Sequence, residues 1–180
     1  MTVTTTTLRA LGALSAGMLA LGMLASCTPA PEPTPTKTAL FASDEEAFAA
    51  AEETYQAYSD AANAADYADP ATFEPVYDWL TGTALGAEKK ALSLYHAERL
   101  TKTGDATFDT FSPLSASSDE VVVQLCIDVS QVDLLREGGD SAVPKGRLPR
   151  VGRMVTFSPG STRTGLRIES NHETKDDFSC

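Results

Sequence analysis

The hydrophobic period of this chain changes once, near Gly104, and that change limits the folds open to it. Before it, Phe48, Ala51, Tyr55, Tyr58, Ala62 and Ala65 recur at alternating spacings of three and four, the apolar face of one helix. After it, Val121, Val123, Leu125, Ile127 and Val129 alternate with Val122, Gln124, Cys126, Asp128 and Ser130, the pattern of a half-buried strand. Helices first and strands after predict an α+β domain. Three N-terminal helices should lie on one face of an antiparallel sheet.

The helical half opens at Ser43-Asp44-Glu45-Glu46, a capping box with acids at the positive helix end. This helix should fade before Asp69-Pro70, since a proline disfavours helical geometry in the residue before it. A short second helix fits Phe73 to Leu80. Phe73, Val76, Tyr77 and Leu80 share a face, Pro75 sits where a missing N–H costs little, and Gly82 ends it. A third helix, Ala87 to Leu100, carries Leu92, Tyr95 and Arg99 along one side, with His96 at its margin. In the strand half, Ala106, Phe108 and Thr110 mark a strand ahead of Val121, and Gly138-Gly139 reads as a turn. Val151, Arg153, Val155 and Phe157 form another strand. Pro159-Gly160-Ser161 then turns the chain, and Leu166 and Ile168 alternate with Arg167 and Glu169 in the last one.

A separate signal lies upstream. Arg9 precedes an uncharged run of 16 residues, Ala10 to Ala25, rich in Leu, Ala, Met and Gly. A bilayer span needs about 20 residues, so the run reads as the core of a secretory signal peptide. Leu24-Ala25-Ser26-Cys27 is a lipobox. Residues 1–26 are then a signal peptide and Cys27 the acylated, palmitate-bearing first residue of the mature chain. The expected address is the outer face of the cytoplasmic membrane. Residues 27–42 form a Pro/Thr-rich tether. Thr28 to Thr38 reads TPAPEPTPTKT, which at about 3.1 Å per residue reaches about 30 Å. Residues 43–180 form the folded domain.

With Cys27 acylated, Cys126 and Cys180 remain as an even pair in an oxidising compartment and should form a disulfide. The alternative, a metal or nucleophilic cysteine, has little support. His96 and His172, the only histidines, stand at no metal-ligand spacing with each other or with a cysteine. The formal net charge of −11 argues against nucleic acid, which demands basic surface. Charge is uneven. Thr38 to Glu88 holds eleven acids and no Lys or Arg, while Ser141 to Ile168 holds six bases and no acid. The second stretch is either an anion-binding strip or a set of basic strands facing the acidic helices.

Several local patterns resemble small secreted actinobacterial lipoproteins with a nuclear-transport-factor-2-like domain. They are the aromatic helix around Tyr55 and Tyr58, the stretch Asn63 to Trp79, Gly82, His96, Leu125-Cys126-Ile127-Asp128-Val129, Gly165-Leu166-Arg167-Ile168 and Cys180. The resemblance spans roughly residues 43 to 180. It implies a cone in which a curved antiparallel sheet wraps three helices around a central cavity. In that superfamily the cavity is an enzyme site in ketosteroid-isomerase-like and polyketide-cyclase-like members, and a binding site or a filled core in others. Fold alone therefore assigns no activity.

An isomerase or cyclase of this fold would need a carboxylate or histidine inside the cone. Asp128 alternates out of the apolar set of its strand, so it should face away from the core and meet the C-terminal tail. The candidate pocket residues are Tyr55, Tyr58, Trp79, Tyr95, His96 and Arg153. Each has a plainer role: the aromatics as core, His96 as a hydrogen-bonded helix margin, Arg153 as a strand end reaching solvent. Inward, Arg153 would clamp an anionic group. Asp60, Asn63, Asp66 and Asp69 recur every third residue but lack the loop of a calcium site and read as a fraying helix end. No catalytic set, metal site or cofactor motif assembles from these residues.

The reading that follows is a lipid-anchored, non-enzymatic binding or accessory module. It is held to the membrane by its lipid and takes a small molecule or an envelope protein as partner. Two alternatives stand beside it. One is a small-molecule enzyme, isomerase- or cyclase-like, working from a polar site in the cone. The other is a solid-cored interaction protein acting through its surface, for instance as a homodimer.

Overall fold

The computed structural model describes residues 40–174 and 178–180; the signal peptide, Cys27 and nearly all of the tether lie outside them. Helix α1 (Asp44–Ala64) begins where the capping box places it. Ser43 Oγ accepts from the Glu46 N–H at 3.3 Å, while the Glu46 carboxylate reaches one residue further back than expected, to the Ala42 N–H at 2.9 Å. Phe41 packs against the core, so the folded part reaches slightly ahead of Ser43. The acids after α1 are not a frayed end. Asn63 exchanges two hydrogen bonds with the backbone of Ala106, and Lys102 Nζ donates to the Ala62 and Asn63 carbonyls at the helix C-terminus. Asp69 caps a 3-10 turn (Pro70–Phe73) that leads into the one-turn helix α2 (Glu74–Tyr77).

Gly82 opens the next helix rather than ending this one. Helix α3 spans Gly82–Ala97, five residues ahead of the expected start. Gly82 has φ +52°, and a Cβ there would meet the Glu169 carbonyl, so glycine lets the helix start hard against the last strand. Arg99 falls beyond α3, exposed and paired with Glu137, and does not extend the Leu92–Tyr95 side.

The main sheet is antiparallel with order β2 (Thr107–Ala116), β3 (Val121–Asp128), β5 (Arg150–Pro159), β6 (Leu166–Glu173). A separate ribbon pairs β1 (Thr101–Thr103) with β4 (Asp133–Leu135); three residues are too few to show an alternation in sequence. The expected alternation in β2 breaks at a bulge between Asp109 and Ser112, where Thr110 takes φ +54°. One extra residue shifts the inward position from Thr110 to Phe111, which joins Phe108 against the core. In β3, Val121, Val123 and Leu125 are buried as their parity requires. With Val155, Phe157, Leu166 and Ile168 they form the sheet side of the core; Ala47, Ala51, Tyr55, Val76 and Leu92 form the helix side.

Cys126 points to the outer face and is nonetheless fully buried. Cys180 covers it through the Cys126–Cys180 disulfide, with Cα atoms 5.7 Å apart. Arg150 binds Asp109 (2.7 Å) and Asp128 (3.2 Å) and donates through Nε to the Cys180 carbonyl. Asp128 thus meets the tail by way of Arg150. Hydrogen bonding from the Ser130 side chain and N–H, and after it the Arg150 contact, hold the Asp128 carboxyl below the usual range.

Candidate functional site

The inner polar site is built from three elements. On α1, Tyr55 and Tyr58 stand one turn apart with ring centroids 5.7 Å apart, and Tyr55 packs edge-on against Phe108 at 4.8 Å. On α3, Ala84, Glu88 and Leu92 lie four residues apart along one stripe, and Ala84 and Leu92 are buried. That stripe carries Glu88 inward, where Tyr58 Oη donates to its Oε2 at 3.2 Å. From the sheet come Arg153 and Asn171. Both sit on the inward face, Asn171 beside Val155 and Arg153 opposite Glu173 across the β5–β6 register.

Burial sets the electrostatics. Desolvation pushes the Glu88 carboxyl above the ordinary carboxylate range, and the Tyr58 hydrogen bond only partly offsets it. Desolvation also raises the Tyr58 and Tyr55 phenols. Glu88 adds to both effects; the Arg153 charge and, for Tyr55, the Asn171 amide work against them. Such a carboxyl holds its proton to higher pH than a solvated one, and the Arg153 guanidinium on the same inner face favours an acidic group. Among the described residues, Arg153 has one ion-pair contact, a long one with Glu173 at 3.9 Å, and its buried Nε has no hydrogen-bond partner; the same is true there of Asn171 Oδ1.

Two openings flank this cluster. A small one of about 160 Å³ lies between α1 and the β2–β3 edge, lined by Tyr55, Tyr58, Asn63, Phe108 and Ile127. A wider, shallow groove of about 730 Å³ is lined by Arg153, Met154, Asn171, His172 and Glu173.

No family description matches the sequence, and no curated protein is similar to it. Solved structures are similar in fold. The intermembrane space region of the chloroplast protein ARC6 superposes with a TM-score of 0.52 at 14% identity, covering 70% of this chain and 95% of its own. A protein from Novosphingobium aromaticivorans gives 0.46 at 11% identity, over 73% and 96%. One from Catenulispora acidiphila, solved in complex with S-DNPA, gives 0.47 at 12% identity, over 72% and 92%. The fold is nuclear-transport-factor-2-like. At these identities the likeness extends to the fold and no further.

Within this cone, three of the six candidate pocket residues come together: Tyr55, Tyr58 and Arg153. The other three do not. Tyr95 stacks on Tyr67 with centroids 5.0 Å apart and lines a depression at the β4 ribbon. His96 is an exposed residue whose Nδ1 lies 2.7 Å from the Tyr67 carbonyl, so it anchors the segment after α1. Trp79 falls outside because residues 79–81 run beside β6 as an extra edge. Thr81 N–H donates to the Ile168 carbonyl and Ile168 N–H to the Trp79 carbonyl. Leu80 takes the inward position there, which turns Trp79 to the outer face.

Glu88 and Asn171 were not among the sequence candidates. Placing the start of α3 at Ala87 removed Ala84 from view, and with it the stripe on which Glu88 stands as an acid at a core position. Asn171 lies past a β5–β6 irregularity at Thr156/Phe157 that alternation alone does not anticipate.

Proposed function

We propose that this chain is a lipid-anchored extracytoplasmic binding module, held by acylated Cys27 and taking a small polar ligand at the open end of its cone. The observation that carries the reading is a pair of buried atoms without a hydrogen-bond partner among the described residues, Arg153 Nε and Asn171 Oδ1, in two residues that line the 730 Å³ groove. Buried polar atoms without partners are costly and rare in folded proteins. A ligand offering an acidic oxygen to Arg153 and a donor to Asn171 answers both once the side chains turn to meet it. A second reading, an acid–base enzyme, has one specific observation in its favour: the Glu88 carboxyl raised by burial and hydrogen-bonded to Tyr58.

Native mass spectrometry of the oxidised full-length protein, released from detergent micelles, tests the first reading. We expect a discrete extra mass that dissociates on activation and is depleted in Arg153→Gln. A bare polypeptide in both refutes a cone ligand. If the mass changes on incubation in the wild type but not in Glu88→Gln, the enzyme reading replaces the binding one. The anchor has its own test, since Cys27→Ser should move the protein from membrane to soluble fraction and abolish lipid labelling. Unchanged membrane retention refutes the lipobox.

A further inference from the structure

The six bases between Ser141 and Ile168 do not form one strip. Arg150 is committed to Asp109 and Asp128, Arg147 to the Val129 and Val132 carbonyls, and Arg153 to the inner face of the sheet. Lys145 stands exposed in the loop ahead of β5. Arg163 and Arg167 remain, and they meet on a cleft of about 430 Å³ outside the cone, within the size range of small-molecule sites. Its other walls include Trp79, Pro75, Asp78 and Ser161.

The two arginines are placed differently. The Arg163 guanidinium lies 5.0 Å from the centre of the Trp79 ring and 3.3 Å from Glu53 in an exposed ion pair, which contributes little and leaves donors free. Arg167 has no side-chain hydrogen bond or ion pair among the described residues, and its Nε is buried. A half-buried guanidinium without an acid is an unmet electrostatic demand. Gly160 makes its position available: a Cβ there would come within 2.6 Å of Arg167 Cγ, so the arginine stem lies across the turn only because the residue is glycine.

The geometry points to a second binding site here, for a sugar carrying an acidic group. The arginine forks match a carboxylate or phosphate. The indole and Pro75 give an apolar wall for the body of the ring. Asp78, which would repel a bare anion, accepts hydrogen bonds from hydroxyls instead. The site is independent of the cone and of any ligand within it.

Trp79 is the single tryptophan of the chain, so its fluorescence reads this cleft directly. The test is a titration of the oxidised full-length protein in detergent with glucuronate, glucose 6-phosphate, glucose and inorganic phosphate. We expect saturable change with one or both acidic sugars, the responding one identifying carboxylate or phosphate, and binding of glucose and phosphate at least about tenfold weaker. Arg167→Gln and Arg163→Gln should each weaken the acidic sugar by about tenfold or more, as loss of a charge-assisted hydrogen bond implies. Gly160→Ala should do the same by displacing Arg167. Arg163 is exposed, so its variant should keep the wild-type melting temperature and serve as the folded control. Absence of a saturable response to either acidic sugar overturns the site, as does phosphate binding as tightly as glucose 6-phosphate. Unchanged affinity in both arginine variants also overturns it.

Discussion

Replacing Cys180 with Ser should cost this domain a large part of its stability, and only in oxidising buffer. The Cys126–Cys180 bridge closes a loop of sequence separation 54. Chain-entropy bookkeeping assigns such a closure about 4 kcal/mol at 25 °C, acting by restricting the unfolded chain. For a domain of this size each kcal/mol moves the melting temperature by about 3 °C, so the loss should be about 12 °C. Removing the bridge also frees the tail from the outer face of the sheet. The Arg150–Cys180 carbonyl contact loses its tie and the fully buried Cys126 opens to water, so the entropic figure is not the whole effect. The assay is calorimetry of wild type and Cys180→Ser with and without reductant. Reduced wild type should melt with the variant, and oxidised wild type well above both. An oxidised variant melting within about 2 °C of oxidised wild type would refute the reasoning, since that is under one kcal/mol.

Two further outcomes follow from buried polar groups. Thr54 is fully buried; its hydroxyl donates to the Ala50 carbonyl at 2.7 Å and shares a 2.6 Å hydrogen bond with Thr164, which itself meets Thr162 at 3.0 Å. Thr54→Val keeps the shape and removes one partner, so denaturant unfolding should show a loss of about 1–2 kcal/mol with an unchanged m value; a neutral result would contradict the hydrogen bond. Glu88 gives a pH signature. Its carboxyl titrates above the ordinary 4.5 in the folded chain, which therefore holds a proton that the unfolded chain has released. Its contribution is fully present below pH 4.5 and is lost as pH rises through the folded-state value. Glu88→Gln should track wild-type melting temperature at low pH and gain on it above pH 4.5, whereas a pH-independent gap would place Glu88 in water.

Local chemistry was legible from the chain alone. The order of helices and strands, the cap at Ser43, the inward set Val121, Val123 and Leu125, and the even cysteine pair each depend on neighbours in sequence or on simple parity. So does the outward turn of Asp128, although its partner proved to be Arg150. Tertiary contacts decided the rest. Gly82 opens a helix because Glu169 lies against it, and a glycine signal does not say on which side of it the helix lies. His96, at a helix margin, faces solvent and the Tyr67 carbonyl because helix periodicity does not fix which neighbour covers its edge. Trp79 leaves the cone because residues 79–81 pair with β6, a contact nearly ninety positions away in sequence. Glu88, last of the eleven acids that begin at Asp44, loses much of its water because the buried stripe of α3 turns it toward Tyr58 of α1. Burial is a property of the elements that pack around a residue. Periodicity fixes which residues share a face, and only the packing of those faces decides which charges lose their water.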